Sequence, residues 1–213
     1  MYLCKSALRI FFVLMISTPI LVGCNKTDQT SIKEPENIKA LSPITTSNTV
    51  AEFSFEKDFQ GWKSINAKDA SIKLDSTIKH SGSSSLNFFG QTAIESWNYI
   101  VSDKLSLDGG KKYKLSGWVY VESINSIKAP FLKVAVQNAT NPPKFLNNFN
   151  SGKYDLKKIG TWQELSTEFT TPSEYNLDGF MALQKGTNSE AINAVIYIDD
   201  LRLEQVSNTN PSR

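Results

Sequence analysis

Side chains able to make or break covalent bonds are few in this chain, and their spacing does not assemble them. His80 is the only histidine in 213 residues. A Ser-His-Asp arrangement would have to be built on it, yet it stands in the turn-like run His80-Ser81-Gly82-Ser83, and no Gly-x-Ser-x-Gly elbow presents a nucleophile. Hydrolysis of a glycosidic bond needs two acids flanking it. Glu56-Lys57-Asp58 begins an alternation of acids and stops, because Gly61 stands where the partner acid would be; Glu95 and Glu164 cannot be paired by spacing. A lyase acting on uronates needs cations, and beyond the first 23 residues the arginines are Arg202 and Arg213 alone. These features argue against an enzyme. The more distinctive stock is aromatic: four tryptophans, seven tyrosines and 12 phenylalanines. Flat aromatic faces beside side-chain amides or carboxylates are the equipment for stacking on a pyranose ring and holding its hydroxyls.

The N-terminus decides where such rings would work. Lys5 and Arg9, the apolar runs Ile10 to Ile16 and Pro19 to Val22, and a small residue before Cys24 make a secretory signal over residues 1–23. Leu21-Val22-Gly23-Cys24 resembles the lipobox of bacterial lipoproteins, in which cleavage falls before the cysteine and its thiol and new amino group are acylated. That implies lipidation of Cys24 and a membrane anchor, since each buried methylene contributes roughly 0.8 kcal/mol. A membrane-spanning helix is disfavoured because Ser17, Thr18 and Pro19 break the apolar run short of about 20 residues. With Cys4 removed and Cys24 acylated, no thiol is left for a disulfide, zinc site or nucleophile. Asn25 is not an aspartate, which favours an outer membrane or the cell surface. The signal takes two of the 23 basic residues and none of the 21 acidic ones, so the remainder balances and attracts no polyanion. Nucleic acid is not an expected partner.

Residues 24–50 read as a lipidated cysteine and disordered tether, polar and without period, with Pro35 and Pro43. Residues 207–213 read as a polar tail. Between them, residues 51–206 are a succession of short strand-like runs separated by turn clusters such as Asp108-Gly109-Gly110 and Asn141-Pro142-Pro143. Alternation is clearest in Tyr113 to Val121, Leu132 to Val136 and Trp162 to Phe169. No stretch keeps a 3.6-residue apolar period. The expected fold is therefore all-β: a jelly-roll sandwich of nine or ten strands in two antiparallel sheets, as a monomer. The stretch from Asn138 to Lys158, with Phe145, Phe149 and Tyr154 among Asn and Pro, reads as one long loop.

Five segments in order resemble the carbohydrate-binding modules of the related families four, nine and twenty-two. They are Phe55-Glu56 with Gly61-Trp62, His80 to Leu86, Gly110 to Val119, Gly160 to Leu165 with Phe169-Thr170-Thr171-Pro172, and Ile196 to Leu203. The resemblance covers about three quarters of the chain and implies a galactose-binding-domain-like sandwich that binds a poly- or oligosaccharide without cutting it. Trp97, at a loop-to-strand transition where resembling modules place stacking residues, is the first candidate, with Tyr99 and Tyr120 behind it. Parity along Tyr113 to Val121 turns Trp118 and Tyr120 away from the face of Leu115 and Val119. The matching tryptophan in the family is usually structural. The same parity turns Lys133, Ala135 and Gln137 outward, and Gln137 and Gln184 are candidate hydroxyl partners. Trp97, Trp118 and Tyr120 are expected in one groove. Trp62 and Trp162 fall in family motifs and read as packing.

Resembling modules also often hold a structural calcium between first and last strands. Carried over, that names Glu56, Asp199 and the carbonyl of Lys79 as ligands; the alternative is hydrogen bonding of the two carboxylates to Ser or backbone groups. The other functional reading is a structural or adhesive lipoprotein that grips a protein partner through the Asn138 to Lys158 loop.

Overall fold

The computed structural model of the protein describes residues 44–65, 70–95, 98–173 and 176–209. Among these, twelve strands and one short 3-10 turn, Leu156–Lys158, form two antiparallel sheets, and the chain is a β-sandwich as its alternation requires. One sheet holds β1 (Ile44–Phe53), β3 (Ala70–Asp75), β4 (Ser85–Thr92), β7 (Lys112–Ile124), β10 (Trp162–Thr170) and β12 (Ile192–Thr209). Its order is β10-β7-β12-β4-β3, with β1 also on β12. The other holds β2 (Lys63–Ser64), β5 (Tyr99–Val101), β6 (Leu105–Leu107), β8 (Phe131–Asn138), β9 (Phe145–Lys153) and β11 (Leu177–Gln184). Here the order is β2-β5-β11-β8-β9, with β6 on β11. For brevity these are the β7 sheet and the β8 sheet.

The core lies between them. Leu115, Val119 and Val121 of β7 meet Leu132, Val134 and Val136 of β8, all buried. Each such side chain contributes roughly 1.5–3 kcal/mol by leaving water, so the alternate residues of both strands must face outward. Close approach matters at Gly117, where a Cβ would collide with Leu201 Cδ2. Trp62 is packing, as its motif suggests: it is buried and meets Phe53 and Phe55 edge-on.

Strand β12 organises its sheet. Its first half, Ile192 to Ile198, pairs with β4, and its second half, Leu201 to Thr209, pairs with β1, while β7 runs along the other edge. The change-over is a bulge at Asp199 and Asp200, where the register shifts and Asp200 takes φ 49°. The extra residue resets parity: Ile196 and Ile198 face the core before it, Leu201 and Leu203 after it.

Three boundaries differ from the sequence reading. Strand β1 begins at Ile44, inside the stretch read as tether, and β12 runs to Thr209, into the stretch read as tail. Ile44 to Thr49 pair residue for residue with Thr209 back to Glu204. Thr46 to Thr49 are exposed, with no core beneath them, so this stretch shows no alternation. The Asn138 to Lys158 segment is not one loop. Its middle is strand β9, whose Asn147, Asn148 and Asn150 have turn composition, and whose pairing to β8 comes from its neighbour. Phe149 stacks on Phe169 at 4.4 Å and Tyr154 is buried, so two of its three rings are packing.

Candidate functional site

The outward residues of the β8 sheet line a cleft of about 570 Å³. Lys133, Ala135 and Gln137, alternate positions of β8, form its floor with Phe180 and Ala182 of β11. Tyr99 of β5 stands on one side and Phe145 with Asn148 of β9 on the other. The space exists because Ala135 and Ala182 are small beside the bulky Phe180 and Tyr99. Lys133 is 9% exposed; its Nζ donates to Gln184 Oε1 at 2.7 Å and lies 4.5 Å from the Tyr99 ring centroid. Gln184 in turn donates to Gly186 O at 2.9 Å, which fixes its oxygen toward the lysine. Burial lowers the pKa of Lys133 and raises that of Tyr99.

Of the candidate ligand residues, Tyr99 and Gln137 line this cleft, and Gln184 lies beside it as the orienting partner of Lys133. Trp97 lies outside the described residues. Trp118 and Tyr120 do not join them. They project, as parity predicts, from β7, but β7 belongs to the other sheet, so their outward side is the opposite surface of the molecule. The expected common groove is therefore corrected: outward parity was shared, the sheet was not. Phe180 escaped the sequence reading; Lys133 was placed outward by parity, and Phe145 and Asn148 lie in the stretch read as a loop, but none of the three was named for the site. Parity with Gln184 along β11 would have found Phe180; Phe145 was hidden by the loop assignment.

On the β7 sheet the rings satisfy one another. The His80 ring stacks on Trp118 with centroids 3.9 Å apart and meets Trp162 edge-on at 5.6 Å. Tyr120 packs between Trp162 and Tyr197. His80 Nδ1 is 2.7 Å from Asp200 Oδ2, and Tyr197 donates its hydroxyl to Glu122, with burial the main reason its pKa is raised. Trp162, read as packing, is half-buried on this outer surface rather than in the core. A shallower depression of about 330 Å³ beside Trp118 is crossed by the Arg202–Glu52 pair at 2.6 Å.

Of the groups named for calcium, the Asp199 and Glu56 carboxylates both face hydrogen-bond donors of the turn that follows Lys79. Asp199 Oδ2 accepts from the amides of His80 (3.0 Å) and Ser81 (3.1 Å), and Oδ1 from the amide of Asp200 (2.9 Å). Glu56 accepts from the hydroxyl and amide of Ser83, which with the Ser84 amide lower its pKa. Asp199 is fully buried and desolvation raises its pKa against the pull of those amides. Gly82 closes the turn over Glu56: its φ is +57° and a Cβ there would collide with Glu56 Oε1. Calcium takes about 6–8 oxygens, and carboxylates already accepting this many N–H and O–H bonds do not fit that cage. They fit a hydrogen-bonded clasp that fastens the His80 to Ser84 turn to the first and last strands. Among the described residues, no group of three or more His, Cys, Asp or Glu is placed to hold a metal ion.

Comparison with known proteins agrees with this architecture. A family model described as a carbohydrate binding domain matches residues 47–189, and the chain belongs to that family. Among solved structures, the CBM22-1 xylan-binding domain of Paenibacillus barcinonensis Xyn10C superposes with a TM-score of 0.54 at 18% identity, over 76% of this chain and 97% of that one. The Clostridium thermocellum xylanase 10B CBM22-1–GH10 modules, complexed with xylohexaose, give 0.53 at 19% identity, over 78% of this chain and 30% of that one. At such identities the likeness is one of fold. A search of curated proteins finds no match.

Proposed function

We propose that the protein is a non-catalytic glycan-binding lipoprotein whose saccharide site is the cleft of the β8 sheet. The observation that carries this is the combination in one cleft of aromatic walls, Tyr99 and Phe145, with the amides Gln137 and Asn148. Rings supply apolar faces for pyranoses and amides both donate to and accept from hydroxyls. Its described lining includes no aspartate or glutamate, whereas glycoside hydrolysis needs a pair of acids; this supports binding over cleavage. The gripping loop of the protein-partner reading is largely a paired strand, so that reading has lost its main support. Acylation at Cys24 would hold the module, as a monomer, at a cell-envelope membrane, favouring the outer membrane or cell surface. A calcium ion is not needed by the hydrogen-bonded clasp; unchanged melting with calcium or chelator is the expected result.

The test is a glycan array probed with the full chain, followed by retention on the best polysaccharide. Loss of retention in Tyr99→Ala with retention kept in Tyr120→Ala supports the cleft; the reverse pattern moves the site to the β7 sheet, and a blank array ends the glycan reading. For the anchor, Cys24→Ser should release the protein from membranes into the soluble fraction.

A further inference from the structure

A buried cation with no counter-charge among the described residues marks the floor of the cleft. Lys133 is 9% exposed, and its ammonium meets a neutral amide oxygen and the face of a tyrosine ring. Among the described residues it forms no ion pair, and burial alone accounts for the direction of its pKa. An ammonium has three donors and a buried one is costly unless paired; Gln184 takes one. The other lysine of the lining, Lys63, differs: it is at the rim, largely exposed, and paired with Asp103 at 3.5 Å. None of the described lining residues is an acid. Lys133 is registered opposite Ala182, with Ala135 the next outward residue on its own strand, so small side chains leave its head open to the cleft.

Resting on the cleft as the saccharide site, we infer that its ligand is an acidic glycan, one whose uronate carboxylate or sulfate ester is seated on the Lys133 ammonium. The surroundings are arranged for that. Gly186 orients Gln184, Gln184 holds the lysine from one side, and the Tyr99 ring screens the other, leaving the remaining donors for an anion arriving from the cleft. A charge-assisted hydrogen bond in a partly desolvated site is roughly twice as strong as a neutral one, so the anionic group should decide between otherwise similar chains.

The test is calorimetric titration of the full chain with matched pairs: a short oligogalacturonate against its carboxyl-reduced counterpart, and a sulfated galactan oligosaccharide against its desulfated form. At least one anionic member should bind about tenfold more tightly than its neutral match, and which pair shows the difference identifies carboxylate or sulfate. That ratio should fall to near one in Lys133→Met. It should also fall in Gln184→Glu, which keeps the lysine but supplies a carboxylate within the protein, and which carries the test if Lys133→Met fails to fold. Equal binding within both pairs, or a ratio that survives both substitutions, overturns the inference while leaving glycan binding in place. No binding of any glycan here or on the array overturns the cleft reading itself and this inference with it.

Discussion

The two outer surfaces of the sandwich carry similar residues to different ends. On the β7 sheet, Trp118, Trp162, Tyr120, Tyr197 and His80 are packed ring against ring, with His80 bonded to Asp200 and Tyr197 to Glu122. On the β8 sheet, Tyr99, Phe145 and Phe180 line a cleft whose floor holds the Lys133 ammonium, bonded to the neutral amide of Gln184. Aromatic content does not distinguish the faces. Spacing does: rings packed against one another close the β7 surface, and rings spaced apart by Ala135 and Ala182 leave a cleft for a ligand.

That contrast can be broken in four ways. The largest expected effect is at Trp118, where truncation removes the ring under His80. Trp118→Ala should cost about 3 kcal/mol of stability in chemical denaturation while polysaccharide retention stays unchanged; lost retention in a folded variant would make the β7 sheet a binding face. Next is Lys185, the control for Lys133. It too is buried, but its Nζ donates to Gly90 O in β4 and lies over Phe88 inside the sandwich, beyond reach of a ligand. Burial lowers its pKa from 10.5 to about 8. Between those values the unfolded chain binds more protons than the folded one, so stability should rise with pH across that window and be lowest below it. Lys185→Met should flatten this rise and be more stable at neutral pH by about 2 kcal/mol, with no effect on glycan binding; an undiminished slope would mean the charge is tolerated.

Third, Tyr99→Ala should weaken saccharide binding at least tenfold, about 1.4 kcal/mol, with the melting temperature within a few degrees of the parent. A collapse of stability instead would make the role of Tyr99 structural, and the faces alike. Smallest is Gln137→Ala, which removes one neutral hydrogen-bonding partner from the floor. A three- to fivefold loss of affinity, about 0.5–1 kcal/mol by titration calorimetry, is expected; no change would leave the floor to its apolar residues and Lys133.

Much of this was legible along the chain. Alternation in Tyr113 to Val121 and Leu132 to Val136 separated the inward from the outward residues over those stretches of β7 and β8. Phe55-Glu56, His80 to Leu86 and Ile196 to Leu203 pointed to the family whose model matches residues 47–189. The same clarity was missing where pairing, not burial, makes the strand. Strand β9 and the Ile44 to Thr49 ribbon are held by ladders to β8 and β12, and backbone hydrogen bonds leave no periodic mark on side-chain type.

The sequence by itself determined a two-layered β body and the inward residues of its clearest strands, because a period of two states which side of its own strand each residue takes, while its motifs carried the resemblance to the family. Only the tertiary structure decided which outward residues share a surface. Tyr99 and Lys133 meet across β11, with Gln184 between them, while Trp118 and Tyr120 lie on the other sheet. Strand order is set by long-range hydrogen bonding that any residue can make, so the alternation that places a ring outward is silent on which neighbour it will find there.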